Sequence, residues 1–365
     1  MFDVATFTPS SEEDLSYFLR DRHAPVSVKG GGTKPIGDSA GDLISTSKLS
    51  GIAVYEPGAL TLVAGAGTPI ADIEATLAKE NQRLAFEPMD YRTILGAGDM
   101  PTLGGVVATN TSGPRRIQAG ACRDFCLGVR FVDGAGNIVS NGGRVMKNVT
   151  GYDLVKLMSG SWGTLGVMTE VSLKVLPIPE TQATVFVEVG LPSDAVAAMS
   201  AALGSPFDVT GAAYINGQVA IRVEGFENSV SYRCGQLQDR LSKFGEINIE
   251  LGDQGTWDAV RDVSAFDDPT QDLWRISIKP TDGPSIINAL PGAAMMDWGG
   301  GLIWVQVPSG TDVRRGMQAV NGHALCVRGP REWAFAPLPP AQSGLQNGIR
   351  AKFDPKEILN QGCLM

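Results

Sequence analysis

The residues of this chain that invite chemistry are small and polar, and they fall into three runs. The first is Lys29-Gly30-Gly31-Gly32-Thr33-Lys34. The second, over 100–116, carries Pro101, Thr102, Gly104, Gly105, Thr109, Asn110, Thr111, Ser112 and Gly113 and ends in Arg115-Arg116. The third is Gly163-Thr164-Leu165-Gly166. Glycine lacks a Cβ, so such runs bend sharply and approach another group closely. Successive N–H groups in a glycine turn can all point one way, which is how a diphosphate is cradled. Neither the GxxxxGK[ST] pattern nor GxGxxG ahead of a helix is present. Taken singly, each run also suits an ordinary turn between two elements.

Positioning such runs requires strands that end at them. A capped helix is predicted over 10–22, with acidic residues in its first turn. A strand over 25–28 runs straight into the first glycine run. Strand patterns follow over 42–46, 52–56 and 61–64, and an amphipathic helix over 69–79 carries proline in its first turn. The stretch 127–142 alternates apolar residues around Asp-Gly-Ala-Gly-Asn and predicts a hairpin. A short helix is expected over 154–158, and a strand from the third run to Pro177.

From Thr181 onward glycine thins out and the element order changes. Strand, helix, strand, strand, helix, strand are predicted over 183–190, 193–203, 209–215, 218–224, 227–243 and 246–251. The same order recurs over 273–279, 283–289, 293–298, 301–307, 311–321 and 323–328. Repetition of that order without repetition of sequence predicts ferredoxin-like α+β units. A short helix over 349–355 and an Asx-type turn would close the chain.

Glycine, at 45 of 365 residues, exceeds the usual share of about 7%. The net charge of −9 argues against a nucleic-acid partner, which needs clustered Lys and Arg. No apolar run approaches the about 18 residues of a membrane span, and no secretory signal is read at the N-terminus. Five scattered cysteines suggest a reducing compartment without a disulfide framework. The expected location is cytoplasmic, or peripheral on an inner membrane through partners.

The three runs together, with Lys147-Asn148-x-x-Gly151-Tyr152-Asp153 and the closing Phe353-Asp354-Pro355-x-x-Ile358-Leu359-Asn360-x-Gly362, resemble the PCMH-type FAD-binding domain of the vanillyl-alcohol oxidase family. The last two motifs resemble its D-lactate and glycolate dehydrogenase branch. The length and the spacing from Arg115-Arg116 to Arg123-Asp124-Phe125 are most similar to FAD-binding subunits of bacterial glycolate oxidase complexes. The resemblance implies an α+β fold: a two-subdomain FAD-binding domain over 1–177, a ferredoxin-like cap over 178–340, and a tail over 341–365 that returns to the first domain.

It implies non-covalent FAD held by Lys29, Gly30, Gly31, Gly32, Thr33, Lys34, Pro101, Thr102, Gly104, Gly105, Thr109, Asn110, Ser112, Gly113, Arg123, Asp124, Gly166, Val167 and Asn360. Gln361 stands where the branch carries proline. The implied activity is oxidation of glycolate to glyoxylate beside a second flavin subunit and an iron–sulfur subunit. The alternatives are a non-catalytic relay or assembly subunit and a free-standing dehydrogenase for a small 2-hydroxy acid.

Such oxidation needs a cation for the carboxylate and a base for the hydroxyl proton. Catalytic relatives use histidine clusters for this, whereas His23 and His323 are the only histidines. Their spacing suits no metal, and both are expected to be structural or superficial. Lys147, Tyr152 and Arg275 are the candidates that remain near the flavin or the acid. Arg275 alternates with Trp274 and Ile276, which puts it on the opposite strand face. Asn148 and Asp153 have a second reading as helix caps, and Arg123 and Asp124 as partners of each other. Cys122 and Cys126 lack the C-x-x-C spacing and read as small buried groups.

Overall fold

The computed structural model describes residues 6–144 and 151–364. The expectations for Lys147 and Asn148 therefore lie outside the described residues.

Among the described residues the N-terminal half builds two small sheets and a two-stranded pair, Gln82–Arg83 with Leu176–Pro177. Three parallel strands, in the order Thr6–Phe7, Asp42–Ser45 and Val26–Lys29, pack on the helix Glu12–Asp21. Ser11 caps that helix by accepting from Asp14 N–H, and Leu15 and Leu19 are fully buried beneath it. The second sheet has five antiparallel strands, ordered Ile52–Glu56, Thr61–Gly65, Val167–Lys174, Cys126–Val132 and Ile138–Gly142. Helix Ile70–Ala78 covers it through Ile70, Ile73 and Leu77, which recur at helical spacing.

The C-terminal half is one eight-stranded antiparallel sheet. The first β-α-β-β-α-β unit contributes Ile247–Leu251, Thr181–Glu188, Gln218–Gly225 and Val209–Ile215 in spatial order. The second contributes Ala293–Asp297, Leu302–Val307, Asp272–Ile278 and Gly322–Arg328. Tyr214 opposite Met296 joins the two units. One face carries the helices Pro192–Leu203, Glu227–Leu241 and Gly283–Ala289 over a core that includes Met199, Leu237, Trp274, Ile276 and Ile286. The other face, with Leu273, Met295, Trp304 and Leu325, packs against Ile36, Met89, Tyr91 and Phe335. The period-2 alternation of a strand thus divides each residue set between helices and the glycine-rich half.

Three local expectations are corrected. Residues 100–116, for which no helix was expected, contain the helix Leu103–Ala108. Its Gly104 is accommodated because the backbone lies against Ala66, where a Cβ would sit 2.8 Å from the Ala66 Cβ. The helix expected over 311–321 shrinks to one 3-10 turn, Val313–Met317, because Gly316 in its middle weakens it. The closing helix is longer than expected, Pro340–Phe353, with Pro340 in its first turn. A further helix, Gly255–Asp262, has no counterpart in the expectations. Among the described residues no helix is long and apolar enough to cross a membrane.

Candidate functional site

Two adjoining cavities lie where the halves meet. The larger, about 390 Å³, is lined by Lys29, Gly30, Gly31, Gly32, Thr33 and Lys34, by Thr102, Gly104, Gly105 and Thr109, and by Trp162, Gly163, Gly166 and Asn360. All three glycine runs therefore reach one cleft. Strand Val26–Lys29 delivers the first run at its end. No hydrogen bond within the described protein is made by the backbone N–H of Gly30, Gly31, Gly32, Thr33 or Lys34. Buried backbone donors are nearly always paired, so five successive free ones beside a cleft suit a bound polyanion. Gly31 is required here: a Cβ would overlap the Met100 carbonyl oxygen.

Two side-chain features reinforce that fit. Thr102 Oγ1 is buried without a partner and faces Gly30 across the cleft wall. The Lys34 ammonium lies 5.2 Å from the Tyr91 ring centroid. Burial pulls it down to about 8, with Cys122 and Asp90 opposing. An anion in the cleft would raise it again.

The tail completes the cleft. Asp354, fully buried, accepts from the N–H groups of Ile358 and Leu359. That turn places Leu359 beside Val26 and brings Asn360 to the strand end. Asn360 accepts from Val28 N–H at 2.7 Å and donates to the Trp162 carbonyl at 2.7 Å. Gln361, where the branch carries proline, donates its side-chain N–H to the Glu357 carbonyl.

The second cavity, about 170 Å³, lies between the Thr109–Gly113 segment and the face of the large sheet that packs on the glycine-rich half; Arg116, Tyr91, Arg275, Asp297, Trp304, His323 and Leu325 also line it. Thr109 and Trp162 line both cavities. Arg275 does lie opposite Trp274 and Ile276, as the alternation requires. His323 stands at the solvent-facing rim with its ring partly enclosed, and that enclosure, then Arg275 and Arg314, lowers its affinity for a proton. Burial pushes the Asp297 carboxyl up to about 7 against the opposing Trp298 N–H.

A buried ion network pins the segment between the cavities to the large sheet. Arg222 donates to both Glu87 oxygens at 2.9 Å, Arg115 reaches Glu87 and Glu224, and Arg83 meets Glu224 at 2.9 Å. Burial alone would raise the Glu87 carboxyl, but Arg222 and Arg115 outweigh it and hold it at about 2. Removing one member of such a buried group strands the rest.

Of the remaining expected residues, Asn110, Ser112 and Gly113 line the second cavity. Pro101 and Val167 are buried and line neither cavity. Arg123 and Asp124, expected to hold cofactor, are exposed and line neither cavity. Asp124 instead accepts from Ala121 N–H and pairs with Lys156 at 2.9 Å. Tyr152 is 89% exposed and also stands away from both cavities. Arg116, Tyr91, Asp297 and Trp298 were missed. Only the strand alternation shared by Arg275 and Asp297 offered a signal for any of them.

Comparison with known proteins follows this geometry. A family model described as an FAD binding domain matches residues 4–142. Glycolate oxidase subunit GlcE of Escherichia coli (strain K12) is 34% identical over 356 residues, covering 96% of this chain and 95% of that protein. D-lactate dehydrogenase of Archaeoglobus fulgidus is 30% identical, over 46% of this chain and 38% of its own length. Glycolate oxidase subunit GlcD of Bacillus subtilis is 31% identical, over 50% and 39%. A solved alkyldihydroxyacetonephosphate synthase superposes with a TM-score of 0.71 over 97% of this chain and 75% of its own, at 16% identity, which shows a shared fold.

Proposed function

Because this chain belongs to the GlcE family of FAD-binding subunits, an oxidoreductase family whose cofactor is FAD, we propose that it serves in a glycolate oxidase complex that converts glycolate to glyoxylate. The complex would contain a second flavin subunit and an iron–sulfur subunit. The observation that carries this reading is the convergence of three glycine runs, with five free N–H groups, on one cleft. The N–H groups of residues 30–34 would hold the cofactor's pyrophosphate, and Thr102 and Lys34 its polar flank. Asn360 ties the tail to the same wall. When bound, FAD supplies two-electron oxidation of a C–H bond next to a hydroxyl. The chain's own part is to orient the acid and receive its proton, and the second cavity holds groups for both tasks.

A relay role is favoured by a different observation. Among the described residues no group of three His, Cys, Asp or Glu side chains stands in metal-holding range, and the two histidines lie on the surface or rim. The purified chain separates the readings. A yellow protein bleached by glycolate alone overturns the relay, and one bleached only after its partners are added overturns a free-standing dehydrogenase. A chain that cannot take up FAD overturns the assignment itself.

A further inference from the structure

The second cavity holds charge that cofactor binding leaves without a role. Arg116 and Arg275 both stack on Trp298, with guanidinium carbons 4.3 Å and 5.1 Å from its ring centroid. Neither guanidinium forms an ion pair among the described residues, and Arg275 donates only a 3.4 Å bond to Ser277. Arg261, on the same wall, is neutralised by Asp262 at 2.6 Å and Asp258 at 3.1 Å. Burial weakens the protonation of both Arg116 and Arg275, and in Arg116 the neighbouring Arg275 adds to it. The carboxyl in the cavity, Asp297, spends its Oδ1 on Trp298 N–H.

Two half-buried cations over one tryptophan ring, neither paired with a carboxylate, are costly. An anion of matching shape removes that cost, and the planar guanidinium fork matches a carboxylate. The cavity is small, and Met89, Trp304 and Leu325 wall it with apolar surface. A few-carbon acid fits, whereas a nucleotide does not. Trp298 donates its indole N–H to the Gly113 carbonyl at 3.0 Å, which fixes the platform under both arginines to the cofactor-side segment. His323 at the exposed rim marks the side open to solvent.

We propose that this cavity binds a small 2-hydroxy or 2-oxo carboxylate, with Arg116 and Arg275 holding the carboxylate and Trp298 positioning both guanidiniums. The proposal deepens the reading above and rests on FAD filling the adjoining cleft. This chain's own flavin then meets the acid.

The test titrates the FAD-loaded full chain anaerobically with oxalate, a two-carbon acid that cannot be oxidised at a hydroxyl. Heat, flavin absorbance and tryptophan fluorescence are followed together. Saturable binding with a perturbed flavin spectrum is expected, and Trp298→Phe should remove most of the fluorescence change. Arg116→Met and Arg275→Met should each weaken oxalate at least tenfold. Arg116→Lys and Arg275→Lys, which keep the charge but lose the fork, should fall between. No oxalate binding by the FAD-replete chain, as expected if the flavin ring itself fills the cavity, overturns the proposal. So does unchanged affinity in the folded double Met variant. Failure to retain FAD overturns the cofactor reading instead, and oxalate titration of that FAD-free chain then decides the carboxylate site separately.

Discussion

The two cavities are built from opposite materials. The larger is backbone: N–H groups of a single loop, glycines that let it close, and a tail residue that seals the strand end. The smaller is side chain: arginines, an acid and indoles delivered by segments far apart in sequence and held by sheet register. A backbone cradle depends on the absence of atoms, so it fails when a Cβ is added. A side-chain pocket depends on charge, so it fails when a partner is removed. The two should therefore break under different substitutions and report through different measurements.

The sharpest break is Gly31→Val. Its Cβ has no space beside the Met100 carbonyl, so FAD content should fall to background by absorbance while circular dichroism keeps the fold. Normal flavin content in this variant would refute the backbone-cradle assignment. Next is the joint between the cavities. Glu87→Gln leaves Arg222 and Arg115 facing a neutral amide and should cost about 3–5 kcal/mol in denaturant unfolding at pH 7. The sign follows from Glu87 lying at about 2 when folded against 4.5 when free. Its stabilisation is complete above pH 4.5 and is lost as the pH falls toward 2, so the variant and the parent should converge in acid.

Asn360→Ala removes two hydrogen bonds that close the larger cleft. It should cost about 1–3 kcal/mol and weaken FAD more than oxalate. Asp297→Asn tests the other cavity. The native carboxyl is raised from 3.8 to about 7, so the folded state holds its proton more tightly than the unfolded chain. Stability from this group is present below pH 4 and falls as the pH rises through 7. The amide variant should lack that slope and be about 1–2 kcal/mol more stable at pH 8. Smallest of all, Arg123→Ala and Tyr152→Ala should change neither FAD content nor oxalate affinity, because both residues are exposed away from the cavities. A loss of FAD in Arg123→Ala would reinstate it as a cofactor ligand.

The legibility of the site follows the same division. Gly30 to Lys34 could be read from the chain because the glycines and the strand before them are adjacent, and local sequence alone creates the turn. Gly104 could be read as a close-approach position but its helix could not, because that helix packs against Ala66, far off in sequence. Where Asp124 points could not be read, since its contacts with Ala121 N–H and Lys156 form only in the folded chain. The face of Arg275 could be read, because alternation in a strand is a local rule.

By itself, then, the sequence determined where the backbone can bend, which strand faces are apolar, and that a glycine-rich half precedes a doubled β-α-β-β-α-β half. Only the tertiary structure decided that Arg116 and Arg275 share one cavity and stack on Trp298, and that Arg115, Glu87, Arg222 and Glu224 form one buried network. The reason is physical. Turns and periodicity arise from neighbours along the chain, whereas the energy of a charge is set by burial and by partners that only folding brings near.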